Sequence, residues 1–167
     1  SSTLTDLLAT ALAARAPLIA QLAAEDTDAW RLFHGTVEGA PGITVDRYGA
    51  VLLAQTFHRP LTVEQLAELE AFYAQALPGL PLVWNDRSGK NSRIANTLSP
   101  EQQALAEQPS EFSELGVRYR FQARHAGQDP WLFLDLRAGR RRVMQEAEGK
   151  SLLNVFAYTC GVGVAAA

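Results

Sequence analysis

The last part of the chain constrains the fold most strongly, because it changes from helical to strand-like composition and back. A helix is predicted over Leu136 to Ala147, followed by a buried apolar strand over Ser151 to Phe156. Gly161 and Gly163 then supply a tight turn, and alanine and valine predict a closely packed helix from Thr159 onward. A helix, a buried strand, a glycine turn and a second helix, in this order, open a parallel α/β sheet.

The residues before this segment predict a mixed α/β region. Leucine and isoleucine recur every three or four residues from Leu4 to Leu22, which predicts an N-terminal helix that Pro17 bends or restarts. The other predicted elements are a strand over Arg31 to Thr36, a hairpin over Ile43 to Phe57 that turns at Arg47-Tyr48-Gly49, a helix over Leu61 to Leu77, a strand over Leu82 to Asn85, a loop over Asp86 to Gln108 with a helical turn near Pro100, and a half-exposed strand over Val117 to Ala123. We therefore expect a helical segment over 1–30, a small mixed α/β domain over 31–125, and the beginning of a Rossmann-like domain over 126–167.

Positive charge is concentrated in one part of a chain whose formal net charge is -3. Eight basic and four acidic residues lie between Arg118 and Lys150, so this segment carries +4 and the remainder carries -7. A basic face on an acidic protein favours recognition of one defined polyanion over general coating of nucleic acid. A solvated arginine-rich helix explains the charge equally well.

Composition also indicates where such a chain works. No uninterrupted apolar run approaches the roughly 18 to 20 residues of a membrane span, and no secretory leader is recognisable, so we expect a cytoplasmic protein. The single cysteine, Cys160, cannot form an internal disulfide, and the three histidines show no metal-ligand spacing. We therefore expect no structural metal.

The glycine turn is a candidate ligand site. The N-terminus of the helix after it would offer free N–H groups to a carboxylate or phosphate, which suits an adenosyl cofactor or a nicotinamide or flavin dinucleotide, although a simple packing turn has the same composition. Arg137, Arg140 and Arg141 share one face of the preceding helix, where a guanidinium could bind a carboxylate or phosphate with two hydrogen bonds. Asp135 is placed to cap that helix.

Two sequence motifs carry a family resemblance. The run FLDLRAGRRRVMQEAEGKSLLNVFAYTCGVGVAAA resembles the FLDxR…NxFSYTGG region of bacterial large-subunit ribosomal RNA methyltransferases of the I and K type. The earlier run RLFHGTVEGAPGITVDRYG resembles the segment of the same family that ends in PGITxDRxG. The two motifs occur in the family's order, and the resemblance covers roughly Arg31 to the end of the chain.

The resemblance implies a class I methyltransferase domain that uses S-adenosylmethionine, preceded by a small α/β domain that helps to bind RNA. It assigns cofactor contacts to the turn residues Asn154, Phe156, Ala157, Tyr158, Thr159 and Gly161, and to Phe133, Asp135 and Arg137 on the other side of the cofactor. RNA contact is expected from Arg118, Arg120, Arg140 and Arg141, since the family's amino-terminal RNA-binding domain is not evident before Arg31. Asp46, Arg47 and Tyr48 match the family's DR[YF] signature, for which we expect a structural role as a hairpin end held by an Asp–Arg pair.

The chain also departs from the family pattern. Pro130-Trp131 replace the usual Thr-Gly, and Cys160 replaces a common glycine, so we interpret Cys160 as a small helix-start residue rather than a nucleophile. The cofactor's methyl group would be held against a flipped or unpaired base, and the catalytic residues are expected beyond Ala167. We accordingly expect no methyl transfer by these 167 residues alone. The alternatives are a noncatalytic RNA-binding module and a dinucleotide-dependent oxidoreductase.

Overall fold

The computed structural model describes residues 3–125, 134–151, 153 and 161–167, and all structural statements below concern these residues. Six helices and six strands are present in that part of the chain. They are α1 (Leu4–Ala24), β1 (Ala29–His34), α2 (Gly35–Glu38), β2 (Ile43–Tyr48), β3 (Val51–Thr56), α3 (Val63–Ala76), β4 (Leu82–Asp86), α4 (Pro100–Glu107), β5 (Ser110–Glu114), β6 (Val117–Phe121), α5 (Arg137–Glu146) and α6 (Gly161–Ala166). Two short 3-10 turns cover Lys90–Ser92 and Leu134–Leu136.

Strands β1 to β4 form one mixed sheet in the order β1-β2-β3-β4. The first three strands are antiparallel neighbours, whereas β3 and β4 are parallel. The β2–β3 hairpin closes with a two-residue turn at Gly49-Ala50, where Gly49 adopts a positive φ of 60° that glycine accommodates without strain. The parallel pair requires a crossover, which α3 provides. The predicted hairpin is therefore confirmed.

Both faces of the sheet are covered, which makes the described part of the chain a three-layer structure. On one face α1 and α3 pack through Leu8, Leu22, Leu69 and Tyr73 against a core that includes Val45. On the other face lie α4, the β5–β6 hairpin and the turn at 134–136. Because α1 shares its core with the sheet, the helical segment predicted at 1–30 packs against strands that were predicted for the small domain. The division of the chain into domains stays a prediction.

Helix α1 runs without interruption through Pro17, so the helix does not restart there, and the alternative of a bend at Pro17 stays a prediction. A capping box between Thr3 and Asp6 begins the helix, and each residue bonds the other's backbone N–H at 3.1 Å. By length and apolar composition α1 would suffice to cross a membrane, although Asp6 and Arg15 interrupt its apolar residues. One such helix near an N-terminus is weak evidence for a span, since core helices have the same composition.

The β5–β6 hairpin is joined to the chain segment that leads into β1. The Asp28 N–H donates to the Ser113 carbonyl at 3.0 Å, and the Gly116 N–H donates to the Asp26 carbonyl at 3.2 Å. The Thr27 hydroxyl oxygen accepts from the Leu115 N–H at 2.9 Å. These bonds join residues more than 80 positions apart in sequence and hold the hairpin over the second face of the sheet.

Most of the other predicted elements are confirmed within a few residues, including β1, α3, β4, β6 and α5. The helical turn near Pro100 is a full helix of eight residues, α4, begun by the Ser99 side chain, which accepts from the Gln102 N–H at 3.2 Å. Strand β5 was not predicted. The strand predicted over Ser151 to Phe156 includes residues outside the described part of the chain, and the helix predicted after it corresponds to α6.

Candidate functional site

The candidate site begins with the turn at 134–136, which leads into α5. Leu134 is buried in the second core, which lies between the sheet and the β5–β6 hairpin, whereas the Asp135 carboxylate is exposed to solvent. Leu136, with φ -89° and ψ 5°, occupies the N-cap position of α5 and provides no side-chain cap. The prediction that Asp135 caps α5 is therefore wrong, because the 3-10 turn places it one residue too early in the chain.

A buried carboxylate, Glu114 at the end of β5, organises the start of α5. Arg137 Nε donates to Glu114 Oε2 at 3.0 Å, and Arg140 contributes Nη2 to Oε2 at 2.9 Å and Nε to Oε1. Arg137 also donates to the Ala29 carbonyl at the start of β1. Burial lowers the pKa of Arg137 below its ordinary value, and the charge and hydrogen bond of Glu114 oppose this shift. We call Glu114, Arg137 and Arg140 the Glu114 cluster.

The shared helix face predicted for the arginines exists, but the carboxylates it binds belong to the protein. Arg140 is 2% exposed, so the structure contradicts the expectation that it lies on a surface open to RNA. Arg141 binds Glu25, at the end of α1, through both terminal nitrogens, with Nη2 to Oε1 at 3.1 Å. This hydrogen bonding lowers the pKa of Glu25 below its ordinary value. Helix α5 is thus tied to β5, β1 and α1 by its own guanidinium groups.

The two predicted RNA contacts on β6 are at the surface. Arg118 and Arg120 point away from the core on alternate positions of the strand, whereas Tyr119 and Phe121 face inward. Arg118 is 77% exposed and lies 3.5 Å from the carboxylate of Glu111 across the hairpin. A pair this exposed contributes little to stability, so it leaves the guanidinium available to a stronger anion.

The DR[YF] signature has a structural role, as predicted, but Asp46 pairs with Arg31 and not with Arg47. The Asp46 carboxylate accepts two hydrogen bonds from Arg31 on the neighbouring strand, at 2.8 and 3.1 Å. Arg47 points to the other side of β2, where its guanidinium lies 5.1 Å from the ring centre of Trp30. Neighbouring residues of a strand face opposite sides, so Asp46 and Arg47 cannot pair. Tyr48 is buried in the second core.

Asp135 lies close enough to the Arg31–Asp46 pair to interact with it electrostatically. Burial raises the pKa of Asp46 above its ordinary value of 3.8, hydrogen bonding to Arg31 opposes this shift, and the charge of Asp135 adds to it. The exposed carboxylate of Asp135 thus stands beside a preorganised ion pair on the second face of the sheet. Arg31 and Glu114 were not predicted as site residues, although a glutamate at the inward position of the alternating strand Ser110–Glu114 indicates a buried acid that needs a partner.

Several predicted cofactor contacts lie outside the described residues: Phe133, Asn154, Phe156, Ala157, Tyr158 and Thr159. Gly161 begins α6, and its carbonyl accepts from the Tyr119 hydroxyl at 3.5 Å. Helix α6 packs against α5. The structure therefore brings Gly161 and Arg137 onto neighbouring helices, while the turn that would connect them to the cofactor stays a prediction.

Comparison with known proteins gives consistent results. The family model described as "S-adenosylmethionine-dependent methyltransferase" matches residues 30–167. A Deinococcus radiodurans protein named "Ribosomal RNA large subunit methyltransferase" is 35% identical over 162 residues, which cover 94% of this chain and 39% of the relative. A Shewanella denitrificans protein named "Ribosomal RNA large subunit methyltransferase I" is 32% identical over 148 residues, which cover 83% of this chain and 35% of the relative. The chain thus spans less than two fifths of the length of these relatives.

Solved structures share the fold. The crystal structure of SMU.776, a protein assigned as a methyltransferase and complexed with SAH, superposes with a TM-score of 0.75 at 24% identity. The superposition covers 99% of this chain and 42% of that one. The predicted α/β architecture of a Rossmann-like methyltransferase is confirmed at the level of the fold.

Proposed function

The chain belongs to the S-adenosylmethionine-dependent methyltransferase family, and from that premise we propose that it forms part of an enzyme that methylates a base of large-subunit ribosomal RNA. The observation that carries the proposal is the continuous family match over 30–167, which includes β1 from its second residue, β2 to β6, the 134–136 turn, α5 and α6. The names of the relatives supply the substrate class. Such an enzyme works where ribosomes are assembled, so the cytoplasm is its proposed location.

The described residues are chemically suited to one side of the cofactor. S-adenosylmethionine carries an ammonium and a sulfonium group, for which an exposed carboxylate is a matching partner. Asp135 provides this carboxylate on a turn that is anchored by the buried Leu134 on one side and the Glu114 cluster on the other. We assign Asp135 as a cofactor contact. Phe133, Asn154, Phe156, Ala157, Tyr158, Thr159 and Gly161 complete the proposed site.

Arg137 was expected to contact the cofactor, but its contacts in the structure favour another role. Its Nε binds Glu114 and a terminal nitrogen binds the Ala29 carbonyl, so its guanidinium is already occupied inside the protein. We assign Arg137 as a positioning residue that fixes the turn carrying Asp135. The bound cofactor supplies an electrophilic methyl group, and the contribution of this chain is to hold and orient the two reactants.

RNA contact is assigned to Arg118 and Arg120. Both guanidinium groups extend from the outer side of β6, and phosphate contacts of this kind position a nucleic acid without reading its sequence. Arg140 is removed from the proposed contacts because it is buried. Arg141 is removed as well, because both of its terminal nitrogens bind Glu25.

Calorimetric titration of the full-length protein with S-adenosylmethionine tests the cofactor assignment. We expect binding, and we expect Asp135→Asn to weaken it roughly tenfold or more, since a hydrogen bond to a charged group contributes about 1.5–3 kcal/mol. Glu146→Gln is the matched control, because Glu146 is an exposed acid on α5 that pairs only with its neighbour Arg142 among the described residues. Binding of NAD instead of S-adenosylmethionine would contradict the assignment.

Transfer of a radiolabelled methyl group from S-adenosylmethionine to ribosomal RNA tests the activity. The substrate should be large-subunit ribosomal RNA that lacks the modification, and the small-subunit RNA is the control. Labelling of the large-subunit RNA alone is the expected result. A protein that binds the cofactor but labels neither RNA would contradict the proposed substrate class.

A further inference from the structure

Two loops meet at the edge of the sheet where β3 and β4 end. Because these strands are parallel, their carboxyl ends lie on the same side, and the segments 57–62 and 87–99 follow them. The Arg87 N–H donates to the Thr56 carbonyl at 2.7 Å, which joins the beginning of one loop to the end of the other strand. This edge is separate from the 134–136 turn, which contacts β1 at the opposite side of the sheet.

The two segments are strongly basic. Together they carry four formal positive charges and no acidic residue, in a chain of net charge -3. Three of these cations are exposed: Arg59, Lys90 and Arg93. None of the three forms a hydrogen bond or ion pair with any residue of the described part of the chain. We call these three residues the basic edge.

The fourth cation, Arg87, is buried and holds the second loop in shape. Its Nε donates to the Ser92 carbonyl at 3.1 Å, and its Nη1 donates to Gln55 Oε1 at 3.0 Å. Its guanidinium also lies 5.2 Å from the ring centre of Phe57 on the neighbouring loop. Arg87 therefore connects β3 through Gln55, the first loop through Phe57 and the tip of the second loop through Ser92.

The base of this second loop is closed by backbone bonding. The Ala95 N–H donates to the Asp86 carbonyl at 2.9 Å, so the chain leaves β4 and returns to its end within eight residues. Asn91 and Ser92 have positive φ values of 60° and 52°, a conformation that non-glycine residues adopt where the surroundings enforce it. The loop is thus preorganised, and it presents Lys90 and Arg93 to solvent without the ordering cost of a flexible segment.

We infer that the basic edge is a second RNA-backbone contact, distinct from the arginines on β6. The inference rests on the proposed function for the class of partner and on the charge distribution for the location. Exposed cations without internal partners, on a closed loop, match the chemistry of phosphate contacts that bind RNA without reading its sequence. An acidic protein partner is the alternative that the experiment must distinguish.

The magnitude of the effect follows from counterion release. For single-stranded nucleic acid, each phosphate contact contributes about -0.7 to the slope of log affinity against log salt. Relative to 1 M salt, this slope corresponds to about fivefold in affinity per contact at 0.1 M. Lys90→Gln/Arg93→Gln should therefore weaken binding about 25-fold and reduce the slope by about 1.4, and adding Arg59→Gln should weaken it about fivefold more.

The test is fluorescence anisotropy of the full-length protein with a labelled single-stranded RNA of mixed sequence, over a series of salt concentrations. Arg142→Gln/Lys150→Gln is the matched control, since it removes the same charge from exposed positions on and after α5. Urea unfolding midpoints of all variants confirm that the fold is retained. The expected result is loss of affinity and slope in the first double variant with wild-type values in the control.

Three results would overturn the inference. Equal losses in both double variants would show that only net charge matters, and unchanged binding in both would show that the basic edge does not touch RNA. Preference for labelled polyglutamate over RNA would indicate an acidic protein partner. Since S-adenosylmethionine titration is measured separately, a protein that binds cofactor and RNA normally in every variant refutes the basic edge alone. A protein that binds cofactor but no RNA refutes the proposed substrate as well.

Discussion

Replacing Glu114 with glutamine tests how α5 is attached to the rest of the fold. The carboxylate of Glu114 accepts three hydrogen bonds, one from Arg137 and two from Arg140. Glutamine keeps one oxygen acceptor but turns an amide N–H₂ toward guanidinium donors, and it removes the negative charge. Arg137 retains the Ala29 carbonyl as an acceptor, whereas Glu114 is the only partner of the Arg140 guanidinium among the described residues.

The expected cost is large because the cluster is shielded from water. The side chains of Glu114 and Arg140 are each 2% exposed, and that of Arg137 is 14% exposed. Removing one partner from a buried ion pair typically costs about 3–5 kcal/mol, since the remaining charge is left without compensation. For a folding unit of this size, the loss corresponds to a fall in Tm of roughly 6–20 °C.

Urea unfolding followed by circular dichroism measures the free energy of unfolding, and Glu111→Gln is the control. Glu111 lies on the same strand but is 60% exposed and pairs with an exposed arginine, so its loss should cost at most about 1 kcal/mol. Adding Arg140→Met to Glu114→Gln should recover part of the loss, because the unpaired buried charge is then removed. A loss below about 1 kcal/mol for Glu114→Gln, or no recovery in the double variant, would refute the reasoning.

Three further predictions concern the small domain. Gly49→Ala should destabilise the protein more than Gly79→Ala. Both glycines have a positive φ, which costs alanine about 1–2 kcal/mol, but only at Gly49 would the new methyl group lie 2.6 Å from a backbone oxygen. Equal losses of unfolding free energy in urea would contradict this prediction. Hydrogen bonding to Arg15 lowers the pKa of Glu38 below its ordinary value of 4.5. The ionised Glu38 therefore stabilises the folded protein above pH 4.5, and this stabilisation is lost as the pH falls through the folded-state pKa. Glu38→Gln should flatten this part of the stability–pH curve, and an unchanged curve would argue against the Arg15–Glu38 pair. Tyr73→Phe should leave stability unchanged or raise it by up to about 1 kcal/mol, because the buried Tyr73 hydroxyl has no hydrogen-bond partner in the described part of the chain; a loss above 1 kcal/mol in thermal unfolding would show a partner that the structure does not reveal.

Local patterns were sufficient to predict the central elements. The β2–β3 hairpin consists of two runs rich in β-branched and aliphatic residues with a glycine at the turn, and α3 has apolar residues at the helical period, so each is determined by neighbours in sequence. A helix face can also be read from spacing, as for Arg137, Arg140 and Arg141. Both kinds of inference depend only on residues close together along the chain.

The ion pairs of the candidate site could not be predicted from these local patterns, because their partners are distant in sequence. Spacing indicates that Arg137 and Arg140 share a face, but it does not reveal Glu114 as their partner, 23 and 26 residues earlier. The same reason explains why Asp46 was expected to pair with its neighbour and instead pairs with Arg31 across the sheet. The cofactor turn around Tyr158 lies outside the described residues and stays a prediction.

The pairing of residues 26–28 with 113–116 has a consequence for the order in which the protein is made. The sheet strands β1 to β4 are complete once Asp86 has been synthesised, but the hairpin and helix that cover their second face follow only over residues 100–121. During that interval a nascent chain presents Tyr48, Leu53 and Val83 to water. Contacts at such long sequence separation slow folding, and exposed strand faces promote aggregation. Translation pauses before residue 100 should therefore increase the dependence of the nascent chain on chaperones.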